Sequence, residues 1–133
     1  MSGEARTAKC IYIHHDNGIH EFILADGSDE ALDGWFIHLD QVFGEAVPVV
    51  RLLYVSQTDA LPSINALMTR ARLLDRRHPG RPKSRSAILY NSASKVRFLN
   101  VFVQMSSAVG RDQSRFFSKD QRQEAIEWLL RDS

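Results

Sequence analysis

The sequence predicts a single α/β domain of order ββαβαβαβα, a five-stranded mixed sheet that opens on an antiparallel hairpin and carries four helices. Three observations lead to this. Two short β-branched and aromatic runs flank His15-Asp16-Asn17-Gly18 near the start of the chain, and Asn and Gly tolerate the positive φ that a tight hairpin turn needs. Pro48 to Ser56, PVVRLLYVS, is nearly continuous in apolar residues, the pattern of a strand covered on both faces. Beyond it, strands alternate with amphipathic helical segments, which demands parallel strands joined by right-handed crossovers.

Taken in order, residues 1–7 read as a flexible N-terminus and residues 8–131 as the domain. Lys9 to His14 and Ile19 to Ala25 form the hairpin. Asp26-Gly27-Ser28 ends the second strand, and Leu32, Trp35, Phe36, Leu39 and Phe43 then recur at helical spacing, with Asp29, Glu30, Asp33 and Asp40 on the other faces. The acidic first turn suits the positive end of the helix dipole. Ser63 opens a second helix with Ile64, Leu67, Met68, Ala71 and Leu74 on one side, and His78-Pro79-Gly80 stops it. A basic loop through Arg81, Lys83 and Arg85 leads to the strand Ser86 to Tyr90. Asn91-Ser92-Ala93-Ser94 opens a third helix that ends near Val109, and Gly110-Arg111-Asp112 turns the chain into a short strand, Ser114 to Phe117. Ser118 with Gln121 three residues on makes a capping box, and Ala125, Ile126, Leu129 and Leu130 give the last helix its apolar stripe. Trp35, Phe36, Leu52, Leu53, Leu67, Ile88, Leu89 and Leu129 are expected in one core.

The composition is that of one globular domain: 133 residues, 44% hydrophobic and 25% charged. No apolar run approaches the roughly 18 residues of a membrane span, and MSGEARTAKC lacks the apolar segment of a secretory leader. A soluble, cytoplasmic protein without a transmembrane segment is expected. Cys10 is the one cysteine, so no internal disulfide forms and a small buried thiol on a strand accounts for it. Residues 1–60 hold ten acidic and three basic side chains, residues 61–133 six and fourteen. In one domain this places opposite charge on different faces.

The βα turns gather along the carboxyl edge of the strands, where such sheets bind ligands, which makes Ser56, Thr58, Asp59, Asn91 and Ser92 candidates to meet a ligand or partner. The glycine signatures of nucleotide cradles are absent from these turns. No histidine is placed there to act as a base, so neither a catalytic set nor a cofactor is predicted. His14, His15, Asp16 and His20 cluster about the hairpin, but neighbouring strand residues point to opposite faces, so His14 and His15 cannot both turn to one metal ion. Solvated hairpin residues are expected instead. Arg76, Arg77 and Arg81 lie in a basic segment at a helix C-terminus, where cations are favourable. With almost no interleaved aromatics this segment suits anions rather than nucleic acid. The third helix carries two apolar stripes, Val96, Leu99, Phe102 and Val103 on one and Phe98, Val101, Met105 and Val109 on the other. It is a deeply packed core helix, a pocket wall or an interface, and Phe98, Val101 and Met105 are the candidates for a symmetric homodimer contact.

The initial hairpin, the amphipathic helix, the strand VVRLLYVS, the helix from Ser63, the strand AILY and the closing FF-x6-EAI-x-WL segment (Phe116 to Leu129) together resemble the STAS-type fold of bacterial anti-sigma factor antagonists. The closer likeness is to divergent STAS-like proteins of unassigned function, and it spans residues 8–131. In the antagonist family a partner kinase phosphorylates the serine of an Asp-Ser-Ser-Gly-like turn at a helix start. Ser63 holds that place in Leu61-Pro62-Ser63-Ile64, without the preceding acidic residue or the following glycine. The resemblance implies a noncatalytic bacterial regulatory or protein-interaction module switched at Ser63. A phosphate there would meet free N–H groups and the positive dipole end, and the bare serine is an ordinary cap. The alternative it implies is a small-molecule or lipid-binding domain with an apolar pocket lined by the third helix, because some STAS-like proteins resemble the phosphatidylinositol-transfer lipid-binding fold.

Overall fold

Gly18 takes φ 89°, and around it Gly18 N donates to His15 O (3.0 Å) and His15 N to Ile19 O (2.9 Å). This turn folds β2 (Cys10–His14) onto β3 (Ile19–Leu24) with His14 opposite His20. The computed structural model describes residues 3–7, 9–45, 47–57, 64–90 and 112–131. Within them β3 pairs in parallel with β4 (Val49–Ser56), β4 with β5 (Lys83–Tyr90) and β5 with β6 (Asp112–Ser118). The result is a single α/β domain on a mixed sheet, as the alternation of strands and helices requires.

The sheet has six strands in sequence order rather than the five expected. The extra strand, β1 (Gly3–Thr7), pairs antiparallel with β2 and occupies most of the segment read as a flexible terminus. Its sequence GEART has no apolar alternation, so periodicity does not announce it. Pairing satisfies the backbone groups that the outer edge of β2 would otherwise present unpaired.

Three of the four expected helices fall in the described residues: α1 (Asp29–Phe43), α2 (Ile64–Arg77) and α3 (Arg122–Leu130). Ser28 Oγ caps α1 by accepting from Ala31 N at 3.3 Å. A 3-10 turn, Lys119–Gln121, leads into α3, and Ser118 N donates to Gln121 Oε1 at 3.1 Å, the contact expected of the capping box. The third helix of the sequence reading, residues 94–109, lies outside the described residues. No helix among them is long and apolar enough to cross a membrane.

The core is two clusters, not one. Phe22, Val50 and Leu52 meet Leu32, Trp35 and Leu39 of α1 and Leu74 of α2 on one face of the sheet. Ile19, Leu53, Ala87, Leu89 and Phe117 meet Ala125 and Leu129 of α3 on the other. Leu52 and Leu53 are adjacent in β4, and strand alternation sends them to opposite sides. Ile88 is half-buried, and the Leu67 side chain lies outside the described residues.

The basic loop of the sequence reading is also corrected, because Lys83 and Arg85 belong to β5. Arg85 is buried, donating through Nη1 to Trp128 O (2.9 Å) and Arg131 O (2.8 Å) and lying over the Trp128 ring at 5.2 Å. Arg51 Nε donates to Leu129 O at 2.7 Å. The last carbonyls of a helix lack intrahelical donors and carry partial negative charge, so the end of α3 receives these two cations.

Leu129→Ala, at a site 0% exposed, should cost about 2–5 kcal/mol of stability, whereas Leu130→Ala, 40% exposed, should stay within about 0.5 kcal/mol. Urea unfolding of the two variants checks this. Equal losses would mean that the buried face of α3 is misassigned.

Candidate functional site

Of the residues expected along the carboxyl edge of the strands, Ser56 is described: it ends β4 opposite Leu24, and Gln57 N beside it donates to Leu24 O at 2.9 Å. Thr58, Asp59, Ser63, Asn91 and Ser92 lie outside the described residues, as do Phe98, Val101 and Met105. The anion-binding candidates are mostly engaged within the fold. Arg77 donates to both oxygens of Asp40 at 2.8 Å, His78 Nε2 bonds Asp40 Oδ1 at 2.7 Å, and Arg81 Nε reaches Asp75 Oδ1 at 2.7 Å. Arg77 and His78 hold the Asp40 carboxyl down at about 2. Arg76 is exposed at the end of α2.

A cavity of about 210 Å³ lies where α1 and α2 face β4, β5 and β6. One wall is aromatic, made by Trp35 and Phe43 of α1 and Tyr54 of β4. Trp35 Nε1 donates to Tyr54 Oη at 2.9 Å, which pins both rings. The floor is a row of hydroxyls, Ser84 and Ser86 from β5 and Ser114 from β6. Ser84 and Ser86 are two apart and share a face, and Ser114 is the register partner of Ser86. Asp75 and Arg81 stand at the side, with the guanidinium over the Phe43 ring at 5.0 Å.

By sequence Trp35, Leu39, Phe43, Leu52 and Leu74 read as core or helix-stripe residues and Arg81 as an anion-binding candidate, and nothing marks them as sharing a site with Ser84, Ser86 and Ser114. The available signal was the pair of serines two apart at the head of an apolar run in KSRSAILY, which marks one face of β5 as polar at its amino-terminal half. The expected site lies at the carboxyl edge of the strands, whereas this cavity opens on the amino-terminal halves of β5 and β6. Serines are too small to fill the layer between sheet and helices that larger side chains fill beside them. Aromatic faces set against a few hydroxyls are the usual lining of small-molecule sites, but the volume is below the roughly 300–1,000 Å³ of drug-sized ones.

The hairpin residues separate to the two faces of the sheet. On the α1 side, Tyr12 Oη and His20 Nδ1 are hydrogen-bonded at 2.7 Å, His14 stacks on His20 at 4.3 Å, and Tyr12 stacks on His38 at 5.0 Å. On the α3 side, Glu21 is buried, its carboxylate bonded by His15 (2.6 Å) and doubly by Arg122 (2.9 and 2.8 Å). His20 is 4% exposed rather than solvated. No group of three or more histidine, cysteine or acidic side chains among the described residues could hold a metal ion.

Burial, with His14 alongside, lowers His20 to about 4, and burial raises the Tyr12 hydroxyl to about 12. At neutral pH the pair is therefore a protonated phenol bonded to a neutral imidazole, a structural contact rather than an acid and base poised to exchange a proton. Burial likewise raises the Cys10 thiol to about 11, which leaves it inert as expected of a small buried side chain. Burial pushes the Glu21 carboxyl up, but bonds from Arg122 and His15 outweigh it and hold the group below its ordinary value.

The folded-state value of His20 lies below its free value of 6.5, so the unfolded chain takes up the proton first. The stability that neutral His20 supplies is complete above pH 6.5 and is lost as the pH falls toward 4. The loss should be on the order of 3 kcal/mol. His20→Phe, which keeps a ring in the stack, should flatten that limb in urea titrations run across the same window. A limb of unchanged slope would assign the titration to another group.

No protein-family model, curated protein or solved structure matches the chain, and the cavity's own chemistry is what bears on its use.

Proposed function

We propose that the chain is a noncatalytic, STAS-like binding module that holds a small molecule in the cavity between α1, α2 and strands β4 to β6. The observation that carries this is the row Ser84, Ser86 and Ser114 facing the aromatic wall of Trp35, Phe43 and Tyr54 across about 210 Å³. Such a lining suits a compact ligand with one planar or apolar side and one hydrogen-bonding edge. It does not suit a lipid chain, for which the space is too short. The hairpin, the parallel βα order and the closing helix are consistent with the STAS-like resemblance, which is part of the proposal. Ser63 as a switch and the third helix as a pocket wall both fall outside the described residues, so the cavity supports the ligand reading more directly than a phosphorylation reading.

Ligand-observed NMR with hydroxylated aromatic fragments such as phenols and benzyl alcohols tests this, alongside mass spectrometry of material released when the purified protein is denatured. A bound fragment at a hundred times its Kd should add about 2.7 kcal/mol of stability. Ser86→Leu fills the floor, should cost about 1–3 kcal/mol, and should abolish binding while the chain still folds. Binding that survives Ser86→Leu, or no binder and no released molecule, would overturn the reading.

A further inference from the structure

The outer side of the same two helices carries a second feature. Arg70 Nη2 reaches Asp33 Oδ1 at 2.8 Å, and Arg77 clamps Asp40 at 2.8 Å. The partners are seven residues apart on both helices and in the same order, so α1 and α2 run parallel and in register. Seven residues are about 10 Å of helix. Ile37 stands four residues after Asp33 and three before Asp40, and Leu73 three after Arg70 and four before Arg77. Both therefore lie on the clamped stripes, between the two ion pairs. They are 51% and 41% exposed. Isolated surface apolar residues are ordinary, but these two stand at matching heights on neighbouring helices, on the stripes that the ion pairs join.

The charges around these two residues are sorted. α1 holds Asp29, Glu30, Asp33 and Asp40 and no lysine or arginine, whereas α2 holds Arg70, Arg72, Arg76 and Arg77 against the single acid Asp75. Asp75 is bonded to Arg81 at 2.7 Å, on the cavity side. The face is thus an acidic row and a basic row with an apolar centre on the line between them. A two-fold axis along that line lays each acidic row on the other copy's basic row, and it lays Ile37 on Leu73 twice. A two-fold axis across the helices would instead set acid on acid.

We propose that the outer face of α1 and α2 is the interface of a symmetric homodimer whose two-fold axis runs parallel to the helices, with Ile37 of each copy seated on Leu73 of the other. The interface is isologous, so a single substitution acts twice. An apolar centre ringed by charges that exclude water is the arrangement in which binding energy concentrates. Phe98, Val101 and Met105, the candidates for a dimer contact by sequence, lie outside the described residues.

Size exclusion with light scattering on the full chain should show a dimer at about 100 µM, loosened by salt because the rim is ionic. Ile37→Lys places a cation opposite the basic row, Leu73→Glu an anion opposite the acidic row, and each alone should give a folded monomer. Mixing the two variants should restore a heterodimer, since one contact then pairs the new ammonium with the new carboxylate and the other keeps the native apolar pair. Circular dichroism establishes that each variant is folded, and should either fail to fold, Ile37→Ala and Leu73→Ala, which only truncate exposed side chains, should each weaken the dimer roughly tenfold. A monomeric parent chain at that concentration would overturn the proposal. So would a dimer that survives both charged variants but is split by Val101→Asp, or two charged variants that do not pair with each other.

Discussion

Leu52 and Leu53, neighbours at the centre of β4, are both buried and face different helical layers. Almost everything else in the fold answers to that. A parallel strand with a large side chain on each face cannot leave either face in water, where each leucine would forgo roughly 1.5–3 kcal/mol. α1 and α2 cover one side and α3 the other, and the crossovers between β3, β4 and β5 are the connections that place the first two helices there. The cavity is a product of the same arrangement. Val50 and Leu52 pack among the side chains of α1 and α2, whereas their register partners on β5, Ser84 and Ser86, are too small to fill the same layer, and space remains there beside Trp35 and Phe43.

The side of the sheet that α3 covers shows how such a fold admits charge. Arg51, Arg85 and Glu21 project from strands toward α3, and each is answered at an end of that helix. Arg51 and Arg85 meet carbonyls at its C-terminus, and Glu21 meets Arg122 at its first residue. Buried charges that are fully hydrogen-bonded add little net stability but make the removal of one partner expensive. These contacts therefore set the position of α3 more than they strengthen it. Nine residues are too few for a helix to be stable alone, and its place depends on the sheet.

The charge imbalance between the halves of the chain does not put the two signs on different faces as expected; on the side away from α3 the fold joins them on one face. The acids of α1 and the arginines of α2 come from different halves, and the fold sets them side by side as two ion pairs in register. Exposed pairs of this kind are individually weak, and their larger consequence is order: they hold parallel the two helices whose inner faces line the cavity and whose outer faces carry Ile37 and Leu73.

The hairpin, α1, the two-sided strand β4, the end of α2 before His78 and the cap at Ser118 were all legible in the sequence, because each depends on a local rule: positive φ at a glycine, apolar spacing, a helix stop or a capping pair. Strand β1 was not, since its pairing needs only a free neighbouring edge. Arg85 read as part of a loop because nothing in KSRSAILY tells that a helix end will arrive to accept its hydrogen bonds. The cavity was equally hidden. Its lining residues lie between positions 35 and 114, and their separate identities as core aromatics and strand serines say nothing of the gap between them. Local periodicity determines which face of an element is apolar, whereas which elements share a face, and what space is left between them, is decided only when distant segments pack.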